Sequence, residues 1–67
     1  MFHLKVFQED LAIQVRQYST AHECTHKMWL AWDYYHSQGI AVKIQMQDAR
    51  GLLIKEVNSA EEMTEQL

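Results

Sequence analysis

Residues 20–39 read TAHECTHKMWLAWDYYHSQG, and this stretch decides the fold. Thr20 followed by Glu23 is a capping box: the hydroxyl accepts from a first-turn amide, and the carboxylate reaches back to the cap amide. Ala21, Cys24, Met28, Ala31, Trp32 and Tyr35 recur at helical spacing and form one apolar stripe. Gly39 supplies the left-handed residue that ends a helix, with Ile40 folding back towards Tyr35. A helix is therefore expected over 21–38, about 27 Å long at ~1.5 Å per residue.

On both sides of it the period changes to two. Phe2, Leu4 and Val6 alternate with His3, Lys5 and Phe7; after the polar break Gln8-Glu9-Asp10, Leu11, Ile13 and Val15 alternate with Ala12, Gln14 and Arg16. These two runs predict an antiparallel hairpin whose Gln14, Arg16 and Tyr18 face away from the helix. Beyond Gly39, Ile40, Val42, Ile44 and Met46 alternate with Ala41, Lys43, Gln45 and Gln47. Asp48-Ala49-Arg50-Gly51 reads as a hairpin turn, with Gly51 taking a positive φ. Leu52 to Val57 is the fourth strand, and its facing stays open because Leu52, Leu53 and Ile54 are consecutive. Asn58 or Ser59 caps a short last helix, Ala60 to Gln66, with acidic residues near its start. The expected fold is a single α+β domain over 1–67: a small antiparallel sheet of two hairpins, order β-β-α-β-β, with the long helix on one face and a short C-terminal helix.

At 67 residues the core is small, and a domain of this size gains from a staple: a disulfide, a metal or a partner chain. Cys24 is the one cysteine, so no intrachain disulfide forms. A net charge of −3 gives no overall basic footprint. Gly39 and Gly51 are the only glycines, which excludes glycine-rich phosphate loops. No basic head with an apolar run suggests a signal peptide, and no apolar stretch approaches the ~18 residues of a membrane span. A cytoplasmic location is expected.

His22-Glu23-Cys24-Thr25-His26 matches H-E-x-x-H. That spacing places two imidazoles on one helical face, with a glutamate as base for a metal-bound water. Over these five residues the chain resembles the zincin metalloproteases, and the resemblance implies zinc on His22 and His26 with Glu23 as base. The pattern departs beyond them. Trp29 and Trp32 stand where the extended motif has its glycine and third histidine, and Lys27 follows the second histidine directly. Glu23 is already explained by its cap. The expectation is two solvent-facing histidines, no metal or cofactor, and no catalysis.

Two surfaces are left as binding candidates. Trp29, Leu30 and Tyr34, beside Asp33, are large side chains outside the core stripe, and they suggest a protein-binding or homodimer surface. Alternatively, the C-terminal helix covers them with Met63 and Leu67. On the outer sheet face Lys5, Arg16, Tyr18, Lys43 and Lys55 suggest a nucleic-acid surface as the second reading. The element order is similar to that of small phage-encoded proteins that bind and inhibit bacterial enzymes, such as RNA polymerase inhibitors with one helix on a small sheet. That resemblance implies a non-enzymatic interaction module, self-associating or bound to a larger protein.

Overall fold

A computed structural model of the chain describes residues 1–61. Four strands form one antiparallel sheet: β1 (Phe2–Gln8), β2 (Leu11–Tyr18), β3 (Lys43–Gln47) and β4 (Leu53–Asn58), with α1 (Ala21–Gln38) between the hairpins. The strand order is β2-β1-β3-β4, so each hairpin contributes one inner and one edge strand. The α+β class and β-β-α-β-β order are as expected. The expected helix over 60–66 lies mostly on residues 62–67, outside the described residues. Before it, Asn58 Oδ1 accepts from the Ala60 amide at 2.9 Å, and the Asn58 carbonyl accepts from the Glu61 amide at 3.1 Å.

The helix ends where its caps dictate. Thr20 Oγ1 accepts from the Glu23 amide at 3.1 Å, and Gly39 sits at φ +73°. Ile40 donates to the Tyr35 carbonyl at 3.0 Å, which turns the chain back towards the sheet. Cys24 and Met28 are buried, while Ala31, Trp32, Tyr35 and Ile40 pack at the core's border. Ala21, expected on the stripe, is exposed in the first turn.

α1 packs mainly over the inner strands β1 and β3. Leu4, Val6, Ile44 and Met46 are therefore the buried sheet residues, joined by Val42 from the loop before β3. Burial of Cys24, with a smaller push from Glu23, raises its thiol above the ordinary value, so it stays a neutral core residue at pH 7.

β2 overturns the expected facing. The hairpin begins in simple register, Gln8 opposite Leu11 and Phe7 opposite Ala12, around Glu9 and Asp10, which both have positive φ. Continued unchanged, that register would set Ile13 against Val6 and Val15 against Leu4 on the helix side. Instead a bulge follows: Val6 opposes Gln14, Leu4 opposes Arg16 and Phe2 opposes Tyr18. Ile13 is the extra residue, and one extra residue turns every later side chain to the other face. Gln14, Arg16 and Tyr18 thus lie on the helix side and Val15 on the outer side. The physical reason is coverage: α1 spans the inner strands, so the helix side of β2 is a half-wet flank that suits polar and amphipathic side chains.

The second hairpin repeats this arrangement. Gln47 opposes Leu53, but Met46 opposes Lys55 and Ile44 opposes Val57, which makes Ile54 the extra residue. Lys55, expected on the outer face, is on the helix side with its Nζ 4.7 Å from the Trp29 ring centroid. Both changes of strand boundary have local causes. Leu52 is held in the turn, its N–H on Asp48 Oδ1 and its carbonyl on the Asp48 amide, each at 3.0 Å. The segment 40–42, expected as strand, has its polar groups taken by Ser59. Val42 N–H donates to Ser59 Oγ at 2.8 Å, Ser59 Oγ donates to the Ile40 carbonyl at 2.6 Å, and Ser59 N–H donates to the Val42 carbonyl at 2.9 Å.

The Leu52 amide, followed by the amide and charge of Arg50 and the amide of Gly51, holds the Asp48 carboxyl below its ordinary range against a smaller opposing desolvation. A carboxylate with a lowered folded pKa stabilises the fold above its unfolded pKa of about 3.9, and this contribution is lost as pH falls through the folded value. Asp48→Asn keeps the side-chain acceptor but does not titrate. Between about pH 5 and pH 2, urea unfolding should show wild type losing stability relative to Asp48→Asn. A difference that does not change with pH would contradict the assignment.

Candidate functional site

α1 presents three flanks outside its buried stripe. Towards β4 lie Trp29, under Lys55, and Trp32, whose indole N–H donates to the Asn58 carbonyl at 3.2 Å. Trp32 also stacks on His36 at 4.3 Å between centroids, and His36 Nδ1 is 2.8 Å from the Ser59 carbonyl. A carbonyl only accepts, so Nδ1 carries the proton. His36 therefore fastens the residue that follows β4.

The top of the helix carries His22, His26 and Asp33, all exposed. Glu23 is exposed in the first turn. Among the described residues no three His, Cys, Asp or Glu side chains are grouped to hold a metal ion.

Towards β2 lie Lys27, Leu30 and Tyr34, with Leu30 50% and Tyr34 57% exposed. The expected patch of Trp29, Leu30, Asp33 and Tyr34 is therefore not one surface. Trp29 is half-buried on the β4 flank, Leu30 and Tyr34 share the β2 flank, and Asp33 stands on the solvent side between them. Helical spacing carries the main distinction: Leu30 and Tyr34 are four apart and share a side, whereas Trp29 and Tyr34 are five apart and do not.

The β2 flank forms a groove of about 310 Å³ between strand and helix. Gln14, Arg16 and Tyr18 make one wall; Lys27, Leu30 and Tyr34 make the other; Leu4, Ala31 and Tyr35 line it beneath. No carboxylate lines it. The sequence reading missed Gln14 and Lys27 as partners in one site. A second cavity of about 280 Å³ beside the Glu9-Asp10 turn mixes Glu9 and Asp10 with Lys43.

The outer sheet face is the other large surface. By register it carries His3, Lys5 and Phe7 on β1 and Lys43, Gln45 and Gln47 on β3. Of the five residues expected to make it basic, Lys5 and Lys43 lie there, whereas Arg16, Tyr18 and Lys55 lie on the helix side. What it gains is aliphatic. Ile13 is 42%, Val15 49%, Leu53 54% and Ile54 50% exposed. By register Val15 and Leu53 stand on its two edges, each next to an unpaired bulge residue, Ile13 or Ile54. A polar ladder runs from the middle of the face to its β4 edge: Gln47 Nε2 donates to Gln45 Oε1 and Gln45 Nε2 donates to Glu56 Oε1, both at 3.0 Å.

Comparison of the chain with protein-family models, with curated proteins and with solved structures finds no match. Among the described residues no helix is long and apolar enough to cross a membrane.

Proposed function

We propose that this chain is a non-enzymatic, cytoplasmic interaction module that self-associates by packing the outer face of its sheet against a second copy. The observation that carries this reading is the paired bulge. Ile13 and Ile54 are the extra residues of the two hairpins, and next to each of them the edge strand places an aliphatic side chain outward by register, Val15 opposite Lys5 and Leu53 opposite Gln47. Each margin of the face thus carries exposed aliphatic side chains beside its bulge, flanking glutamines of the centre, so a second copy laid on it about a two-fold axis sets aliphatic groups against aliphatic groups. Sheets pack face to face in this way at about 10 Å. Four strands about 4.8 Å apart and about 25 Å long give the face a projected area of roughly 500 Å², the lower end of what each partner gives to an interface.

Sedimentation equilibrium tests the reading. Wild type should rise with concentration from 7.9 kDa towards twice that mass. Val15→Glu with Ile54→Glu buries two unpaired charges in the interface and should weaken association at least ~30-fold, with helical circular dichroism retained. A wild type that stays monomeric up to about 1 mM, or a double variant that still dimerises as well, would remove the self-association reading.

A further inference from the structure

We propose that the groove between β2 and α1 is a second binding site, which takes an acidic peptide segment from a partner protein, seating a carboxylate between Arg16 and Lys27 and a neighbouring apolar side chain against Leu30 and Tyr34. The site lies on the opposite side of the sheet from the self-association face and does not depend on it.

The bulge at Ile13 creates the site. It brings Gln14, Arg16 and Tyr18 to the helix side, where Lys27, Leu30 and Tyr34 rise one and two turns apart along the facing flank. Each wall then offers a cation, and each also offers a phenol. Among the described residues neither cation has a carboxylate partner; the one hydrogen bond of Arg16 is from Nη1 to its neighbour's carbonyl, Val15, at 3.3 Å. Two cations facing one groove without an anion between them repel each other, and a bound carboxylate relieves that repulsion. Arg16 supplies a planar donor fork suited to a carboxylate, and Lys27 supplies a point charge that tolerates variation in its position.

Size and charge narrow the ligand. About 310 Å³ is at the lower end for a binding pocket, enough for a side chain or two. The groove's floor of Leu4 and Ala31 and its exposed Leu30 and Tyr34 favour a ligand with an apolar group beside its anion. A nucleic-acid strand fits less well. It would extend beyond two cations onto a chain with nine carboxylates against six basic residues.

The test is a titration of ¹⁵N-labelled protein, followed by amide shifts, with the acetylated and amidated hexapeptide Gly-Glu-Phe-Glu-Leu-Gly. Its analogue with glutamine for both glutamates, and a thymidine hexanucleotide, serve as the other arms. The acidic peptide should shift the amides of Gln14, Arg16, Tyr18, Lys27, Leu30 and Tyr34 saturably. The glutamine analogue, and the Arg16→Gln/Lys27→Gln variant with the acidic peptide, should each bind roughly tenfold more weakly. Both substituted residues are exposed, so the variant's retained spectrum verifies its fold. No shift at these amides, equal binding of the glutamine peptide, an unaffected variant, or tighter binding of the hexanucleotide would overturn the proposal. Running the titration on the Val15→Glu/Ile54→Glu chain as well separates failure here from failure of the self-association reading.

Discussion

Ile44→Ala is expected to leave a large share of the molecules unfolded in water at 25 °C. Ile44 is fully buried on the inner strand β3, opposite Val6 on one side and Val57 on the other. Truncation removes three carbons from a core that holds seven buried apolar residues among those described. The neighbouring strands are fixed by their ladders and cannot close the gap, so the cavity cost adds to the transfer cost. Together these reach about 3–4 kcal/mol. A single core in a chain this small supplies only ~3–5 kcal/mol in all. Urea unfolding followed by tryptophan fluorescence should show the variant's transition displaced to near zero denaturant. A loss below about 1 kcal/mol would mean that β3 does not lie at the centre of the core.

Ser59→Ala should cost about 2–4 kcal/mol, a large effect for the loss of one oxygen. Ser59 is 1% exposed, and its hydroxyl both accepts from Val42 N–H and donates to the Ile40 carbonyl. Alanine leaves that donor and that acceptor buried without partners, each penalised by its desolvation. These groups belong to the loop joining α1 to β3, so the variant should also release the helix C-terminus. Amide exchange at Ile40 and Val42 should accelerate more than exchange at Leu4 and Val6. Uniform acceleration across the sheet would show that Ser59 has no local clasping role.

The bounds of the helix were legible because their signals are local. Thr20 needs only the next three residues to act as a cap, and Gly39 needs only its own φ. The hairpins were legible as hairpins, with β1 correctly faced, because Leu4 and Val6 are under the helix and alternate strictly. The facing of β2 was not, because alternation records a period and not a bulge. Ile13 is an ordinary member of its alternating run, and only the pairing of Phe7 with Ala12 and of Val6 with Gln14, which leaves it without a partner, reveals that it is supernumerary. The consecutive Leu52, Leu53 and Ile54 did carry a signal. A strand cannot point three successive side chains to one face, so some of them had to leave the core. Ser59's part depended on two backbone groups seventeen and nineteen residues away, which no local pattern encodes.

The small core and the aliphatic outer face are one arrangement. Turning Val15 towards α1 would place it on a flank the helix does not cover. Turning it outward leaves it in water until another sheet arrives. Pairing of two copies through the outer face is read directly in a mixed sample of ¹³C-labelled and unlabelled chains. Isotope-filtered spectra should show intermolecular cross-peaks from the methyls of Ile13, Val15, Leu53 and Ile54. The absence of such cross-peaks at concentrations near 1 mM, or their confinement to Leu30 and Tyr34, would contradict it.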